Sequence, residues 1–192
     1  MANTLFPVFL KFDHLELLIV GGGYVGWEKI GAVLRNSPDV SVTLVADFIR
    51  EEILELAKKY PNVKLVHRKF EYSDLDGKDV VILATNDKEL HKEIKVETRK
   101  RHLLTNVADT PDLCDFYLSS VVQKGDLKVA ISTNGKSPTL AKRMREYLEE
   151  AIPDNIQEVL DNLKVYRDKL KGDFEYKVKK LNEVTSEFSK KK

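Results

Sequence analysis

Four of the nine glycines fall within six residues, at Gly21, Gly22, Gly23 and Gly26. With Tyr24 and Val25 between them they spell G-x-G-x-x-G, the pattern that cradles the pyrophosphate of a dinucleotide. Gly21 permits a tight turn out of a strand, Gly23 lets the backbone approach the phosphates, and Gly26 lets a helix pack closely on the strand. A helix starting there turns free N–H groups and a positive dipole end toward the phosphates. The pattern's second half is an acid about 20 residues on, and Asp47 stands 21 positions after Gly26. It can take the ribose hydroxyls, which favours NAD over NADP; alternatively it caps a helix beginning at Phe48. Arg50 nearby keeps NADP open.

Two further places can do chemistry. Asp109, before Thr110-Pro111-Asp112, follows an apolar run. At the carboxyl end of a parallel strand, where ligands bind, it can act as a general base. It can also cap a helix with Pro111 in the first turn, and local sequence chemistry alone favours the cap. Asn134, Gly135, Lys136 and Ser137 form a second glycine-bearing loop, ahead of Lys142, Arg143 and Arg145. Such a loop can hold a carboxylate or phosphate, or simply open a surface helix with a solvated basic face. His14, His67, His91 and His102 show no ligand spacing, so no metal site is expected. Cys114 has no adjacent cation and reads as a small buried hydrophobe, and Trp27 reads as packing.

The elements that must position these residues follow from periodicity. Leu15 and Leu17 to Val20 form a buried strand, and Tyr24 to Asn36 a helix stopped by Asn36, Ser37 and Pro38. Val40 to Val45, Val63 to Val66, Val80 to Ala84 and Leu103 to Val107 read as further strands, the wholly apolar fourth being central. Phe48 to Tyr60 reads as a helix, and Lys88 to Lys100 as a charged, solvated one. Strands alternating with helices imply an α/β fold with a parallel sheet. Near Pro111 the rhythm changes. Phe116 to Val122 and Leu127 to Ser132 read as two strands, and Ser137-Pro138 opens a helix to about Glu150. After Pro153, Asn155 to Phe188 is helical with an interruption at Gly172, and Lys190 to Lys192 fray.

Composition bounds the partners. In 192 residues, 32 Lys and Arg face 31 Asp and Glu, a net charge of +1. No global basic field exists to collect nucleic acid. No apolar run reaches the ~20 residues of a membrane span, and the apolar start lacks the basic and cleavage regions of a secretory signal. One cysteine excludes an internal disulfide, and the expected compartment is the cytoplasm.

Leu5-Phe6-Pro7-Val8-Phe9-Leu10 followed by Val20-Gly21-Gly22-Gly23-Tyr24-Val25 resembles the N-terminus of precorrin-2 dehydrogenases, which correspond to the N-terminal part of bifunctional or trifunctional siroheme synthases. Ala84-Thr85-Asn86-Asp87 resembles the family's A-T-[ND]-D, and Asn106-Val107-Ala108-Asp109 its N-V-x-D. Ile131 to Pro138 with Leu140-Ala141 resembles its S-[ST]-x-G-x-S-P-x-L-A. The resemblance implies an NAD-binding Rossmann domain over 1–112, a small dimerisation region over 113–148 and a helical C-terminal domain over 149–192. It implies oxidation of precorrin-2 to sirohydrochlorin with NAD⁺ taking the hydride, in an intertwined homodimer. It makes Asp109 the proposed catalytic group, reversing the preference for a cap. The implied cofactor contacts are Gly21 to Gly26, Asp47, Phe48, Thr85, Asn86 and Asn106. The Asn134 to Ser137 loop with Lys142, Arg143 and Arg145 becomes the anchor for the tetrapyrrole's carboxylates. The family usually has Ala at the position of Gly26, which reads as a harmless difference. Many members have Arg at the position of Lys142, so bidentate geometry is lost. The sequence holds no counterpart of the large methyltransferase domain, so precorrin-2 is expected to come from another enzyme. Some relatives also insert Fe²⁺ or Co²⁺ into sirohydrochlorin, and a non-catalytic NAD sensor shares the glycine pattern.

Overall fold

A computed structural model describes residues 3–186. The chain divides into two units, residues 4–118 and a second beginning at Ser119.

The first unit is a five-stranded parallel sheet, made of β1 (Glu16–Gly22), β2 (Ser41–Ile49), β3 (Val63–His67), β4 (Val80–Leu83) and β5 (Leu104–Val107). The strand order is β3-β2-β1-β4-β5. Side chains alternate across β1 because strand residues point to opposite faces. Leu17 and Ile19 pack with Ile30, Val33 and Leu34 of α1 (Tyr24–Asn36) and Ile53 of α2 (Glu51–Lys59). Leu18 and Val20 pack with Val81, Leu83 and Ile94 of α3 (Lys88–Lys100) on the other face. Helices therefore cover both faces, and the expected α/β fold with a parallel sheet is present. The order reverses between β1 and β4, which opens the crevice where doubly wound sheets take ligands.

Four expectations need correction. The second strand continues to Ile49 and α2 begins only at Glu51, with Arg50 as its cap residue. Asp47 is thus in the strand and caps nothing. The reason is an irregular register that pairs Gly22 with Ile49 and draws the end of β2 into the sheet. Second, α3 is not solvated all round: His91, Ile94 and Thr98 are buried on one face. Third, Phe116 to Ser119 are not strand. Phe116 and Leu118 instead pack against the core, and the preceding segment shields the edge of β5. There Asp115 Oδ2 accepts the Thr105 N–H at 2.9 Å, and the Asp115 N–H is donated to Thr105 O at 2.8 Å. Fourth, Asp109 caps no helix. The short 3₁₀ turn Pro111–Leu113 has Thr110 at its cap position.

The second unit contains an antiparallel hairpin, β6 (Ser120–Lys124) and β7 (Leu127–Ile131), turned at Gly125 with φ +56°. It is followed by α4 (Pro138–Ala151), α5 (Ile156–Lys169) and α6 (Phe174–Thr185). The hairpin packs on α4, and Val122 of β6 and Ala141 of α4 are buried. Gly172, with φ +138°, separates α5 from α6 where an interruption was expected. Phe188 and Lys190 to Lys192 lie outside the described residues. Among the described residues no helix is long and apolar enough to cross a membrane.

Candidate functional site

The carboxyl ends of β1, β2, β4 and β5 carry the predicted dinucleotide residues. Three of the four glycines are required by the fold itself. A Cβ on Gly21, whose φ is +116°, would stand 2.6 Å from Ala84 O. One on Gly22 would stand 2.2 Å from Phe48 O, and one on Gly26 2.1 Å from Gly21 O. Gly26 therefore lets α1 sit close on the strand. Gly23 is different. It is the cap residue of α1, its φ is −76°, and a Cβ on it would meet nothing within 4 Å. Its missing side chain is not used by the protein, so it keeps space open in front of the first-turn N–H groups of α1. That is the space a pyrophosphate takes, and the loop fits the group.

Around this loop Tyr24 and Phe48 are exposed aromatics, Tyr24 tilted against Trp27 at 5.5 Å between ring centroids. Asp47 is exposed at the end of β2, and its carbonyl lies 2.9 Å from His67 Nε2. Arg50 is held by Glu52 through two contacts, 3.1 Å from Nε and 2.5 Å from a terminal nitrogen. An open depression beside them is lined by Phe48, Arg50, Glu51, Glu52 and Glu55. At the end of β4, Thr85 is half-buried and Asn86 exposed, while Asp87 caps α3 by accepting the Leu90 N–H at 3.0 Å.

At the end of β5 the chain turns sharply. Asp109 has φ +55°, a conformation that Asp tolerates better than most residues, and its side chain is exposed. Asn106, by contrast, is buried and already engaged, its amide donating to Phe116 O at 2.8 Å. It braces the segment after Asp109. Cys114 sits behind this turn, its Sγ 3.2 Å from both Val107 N and Val107 O. Burial pushes its thiol up, which leaves it a thiol rather than a nucleophilic thiolate.

In the second unit the Asn134 loop is closed on itself. The N–H groups of Asn134, Lys136 and Ser137 are donated to Ser132 Oγ, Thr133 O and Thr133 Oγ1. Ser137 caps α4 through the Leu140 N–H. Asn134 and Gly135 both have positive φ. Lys142 and Arg143 converge on Glu146, and Arg145 pairs with Glu149 at 2.6 Å. Gly135 and Lys136 are exposed. Among the described residues no group of three or more His, Cys, Asp or Glu side chains is placed to hold a metal ion.

The sequence missed His91. It is 2% exposed, with Nε2 2.8 Å from Thr85 Oγ1. The signal was present as the spacing His91, Ile94, Thr98, which marks one buried face of a helix.

A parallel sheet with this strand order and a glycine loop kept open at the first helix defines a nicotinamide-dinucleotide-binding domain of the Rossmann type. An NAD(P)-binding family model matches residues 8–120, and the model of the sirohaem biosynthesis protein central domain matches residues 124–151. A siroheme synthase of Methylococcus capsulatus is 37% identical over 147 residues, covering 77% of this chain and 30% of that protein. One from Nitrosomonas europaea is 33% identical over 168 residues, covering 88% and 35%. A solved precorrin-2 dehydrogenase structure superposes with a TM-score of 0.74 at 26% identity, covering 94% of this chain and 89% of that one. The chain belongs to the precorrin-2 dehydrogenase family, the N-terminal part of siroheme synthases. It spans about a third of the length of the curated relatives it matches.

Proposed function

We propose that this protein oxidises precorrin-2 to sirohydrochlorin in siroheme biosynthesis, with NAD⁺ as the oxidant. The observation that carries the reading is the placement of Asp109. Its carboxylate and the open face of Gly23 lie at the same carboxyl edge of one sheet. The reaction removes one hydride and one proton from the tetrapyrrole. NAD⁺, held at the glycine loop, supplies the hydride acceptor. Asp109 Oδ takes the proton; the residue is exposed and its backbone left-handed at the end of β5. Asn106 and the Asp115 contacts hold that turn in place.

NAD⁺ rather than NADP⁺ is supported by two features. Asp47 places a carboxylate at the ribose end of β2. Arg50, the cation suited to a 2′-phosphate, is already held by Glu52. For the substrate's carboxylates, the internal closure of the Asn134 loop shifts the task from backbone amides to side chains. Lys136, Lys142, Arg143 and Arg145 supply them: Lys142 and Arg143 are exposed and their pairs with half-buried Glu146 exchange readily, while Arg145 is half-buried beside Glu149. Leu140, Met144 and Tyr147 form an exposed apolar face of α4, which supports a homodimer. A cytoplasmic location fits the use of the cell's NAD⁺ pool.

Anaerobic incubation with enzymatically made precorrin-2 and NAD⁺ tests the reading. NADH should appear with the sirohydrochlorin spectrum. No NADH from a protein that binds NAD⁺ makes it a sensor instead. Adding Fe²⁺ or Co²⁺ afterwards reads whether the same chain inserts metal.

A further inference from the structure

Helix α3 begins with a buried imidazole that the proposed reaction does not use. His91 Nε2 lies 2.8 Å from Thr85 Oγ1, and Nδ1 is buried without a hydrogen-bond partner. Thr85 Oγ1 also accepts the Asp87 N–H at 3.2 Å. Thr85 borders the glycine loop: a Cβ on Gly21 would stand 3.0 Å from its backbone nitrogen.

These contacts assign the tautomer. A proton on Nδ1 would leave a buried N–H donor with no acceptor, an arrangement folded proteins avoid. A proton on Nε2 leaves only an unused lone pair. Nε2–H then donates to Thr85 Oγ1. With the Asp87 N–H, the hydroxyl oxygen accepts two hydrogen bonds and both its lone pairs are filled. What remains of Thr85 is one O–H that can only donate, at the crevice between β1 and β4. Burial lowers the basicity of the ring, which favours the neutral form this pattern needs.

We propose that His91 is a positioning residue for the dinucleotide: by donating from Nε2 it fixes the Thr85 hydroxyl as a donor to an oxygen of the bound dinucleotide. The proposal rests on the reading of the glycine loop as the dinucleotide site. It extends that site from the loops into the buried face of α3, one turn beyond Asp87.

Two measurements test it. The first is the imidazole ¹⁵N spectrum of the ligand-free wild-type protein, which reads the tautomer directly. Nε2–H is expected; Nδ1–H overturns the proposal, whether or not any variant folds. The second is the Kd for NAD⁺ across a double-mutant cycle. His91→Phe fills the volume without the donor and should weaken NAD⁺ about tenfold, the effect of one lost hydrogen bond. His91→Gln keeps an N–H near the same place and should restore Kd to within about threefold. In a Thr85→Val background His91→Phe should add nothing. An equal loss in both backgrounds makes His91 a structural residue only and overturns the proposal. Wild-type protein that binds no NAD⁺ refutes the dinucleotide reading itself, an outcome distinct from either of these.

Discussion

Gly23→Ala separates what the glycine loop does for the fold from what it does for a ligand. In the protein alone a methyl at residue 23 touches nothing within 4 Å. The fold loses only the difference between Gly and Ala as a cap residue, about 0.5–1 kcal/mol. For a chain of this size that lowers Tm by no more than about 4 °C. The same methyl stands in front of the first-turn N–H groups of α1. A pyrophosphate pushed back from them loses at least one charge-assisted hydrogen bond, about 1.5–3 kcal/mol, so Kd for NAD⁺ rises about ten- to a hundredfold. Gly26→Ala is the counterpart. Its methyl falls 2.1 Å from Gly21 O, more than an ångström inside ordinary contact, and α1 must move. Overpacking of this kind costs about 1–3 kcal/mol, offset by up to about 1 kcal/mol from the helix preference of Ala. Calorimetric titration with NAD⁺ and thermal denaturation of both variants give the comparison. Unchanged NAD⁺ binding by Gly23→Ala refutes the reasoning.

Freeing Arg50 should loosen cofactor choice. Glu52→Gln removes the paired carboxylate and should shift the ratio of NADP⁺ to NAD⁺ affinity about three- to tenfold toward NADP⁺; an unchanged ratio in parallel titrations argues against the role given to that pair. The nearly buried Asp74 gives an acid-stability test. Arg68 donates to both its oxygens at 2.8 and 2.6 Å and holds its carboxyl below the ordinary 3.8. The folded form then binds its proton less readily than the unfolded chain, so this stabilisation is complete above pH 3.8 and fades as pH falls further. Asp74→Asn should cost about 1–2 kcal/mol at pH 7, with the gap to wild type narrowing below pH 3.8 in urea titrations; a gap independent of pH contradicts it.

Much of the first unit was legible because its signals agree at several levels. The helices Tyr24–Asn36 and Lys88–Lys100 fall where stop signals and charge predict. The apolar run at Val80 reads as the central strand; it does lie inside the sheet, but β1 holds the middle place. The misses have physical causes. The end of β2 is Asp47-Phe48-Ile49, where both Asp47 and Phe48 are exposed and no alternation marks a strand. Its pairing with Gly22 and the contact of His67 with the Asp47 carbonyl, both far away in sequence, accompany its extended course. Phe116 and Leu118 have strand-like residues but pack as loop, because the edge of β5 is already occupied by Asp115 and Cys114. Asp109 looks like a helix cap by local chemistry, yet its left-handed backbone depends on how the following turn is braced by Asn106. The hydrogen bonds that close the Asn134 loop were not visible either, since they run from backbone to neighbouring hydroxyls and to the Thr133 carbonyl and leave no spacing pattern.

The most direct test of the account is the turnover of Asp109→Asn beside wild type under anaerobic conditions. Precorrin-2 and NAD⁺ are supplied and NADH is followed, with Kd for NAD⁺ measured on both proteins. Asn keeps the size and the tolerance for the left-handed conformation but cannot take the proton. Removing a general base of this kind lowers kcat about a hundredfold or more while NAD⁺ binding stays within about twofold of wild type. Turnover of the variant at the wild-type rate would contradict the role of Asp109, and with it the observation on which the proposed reaction stands.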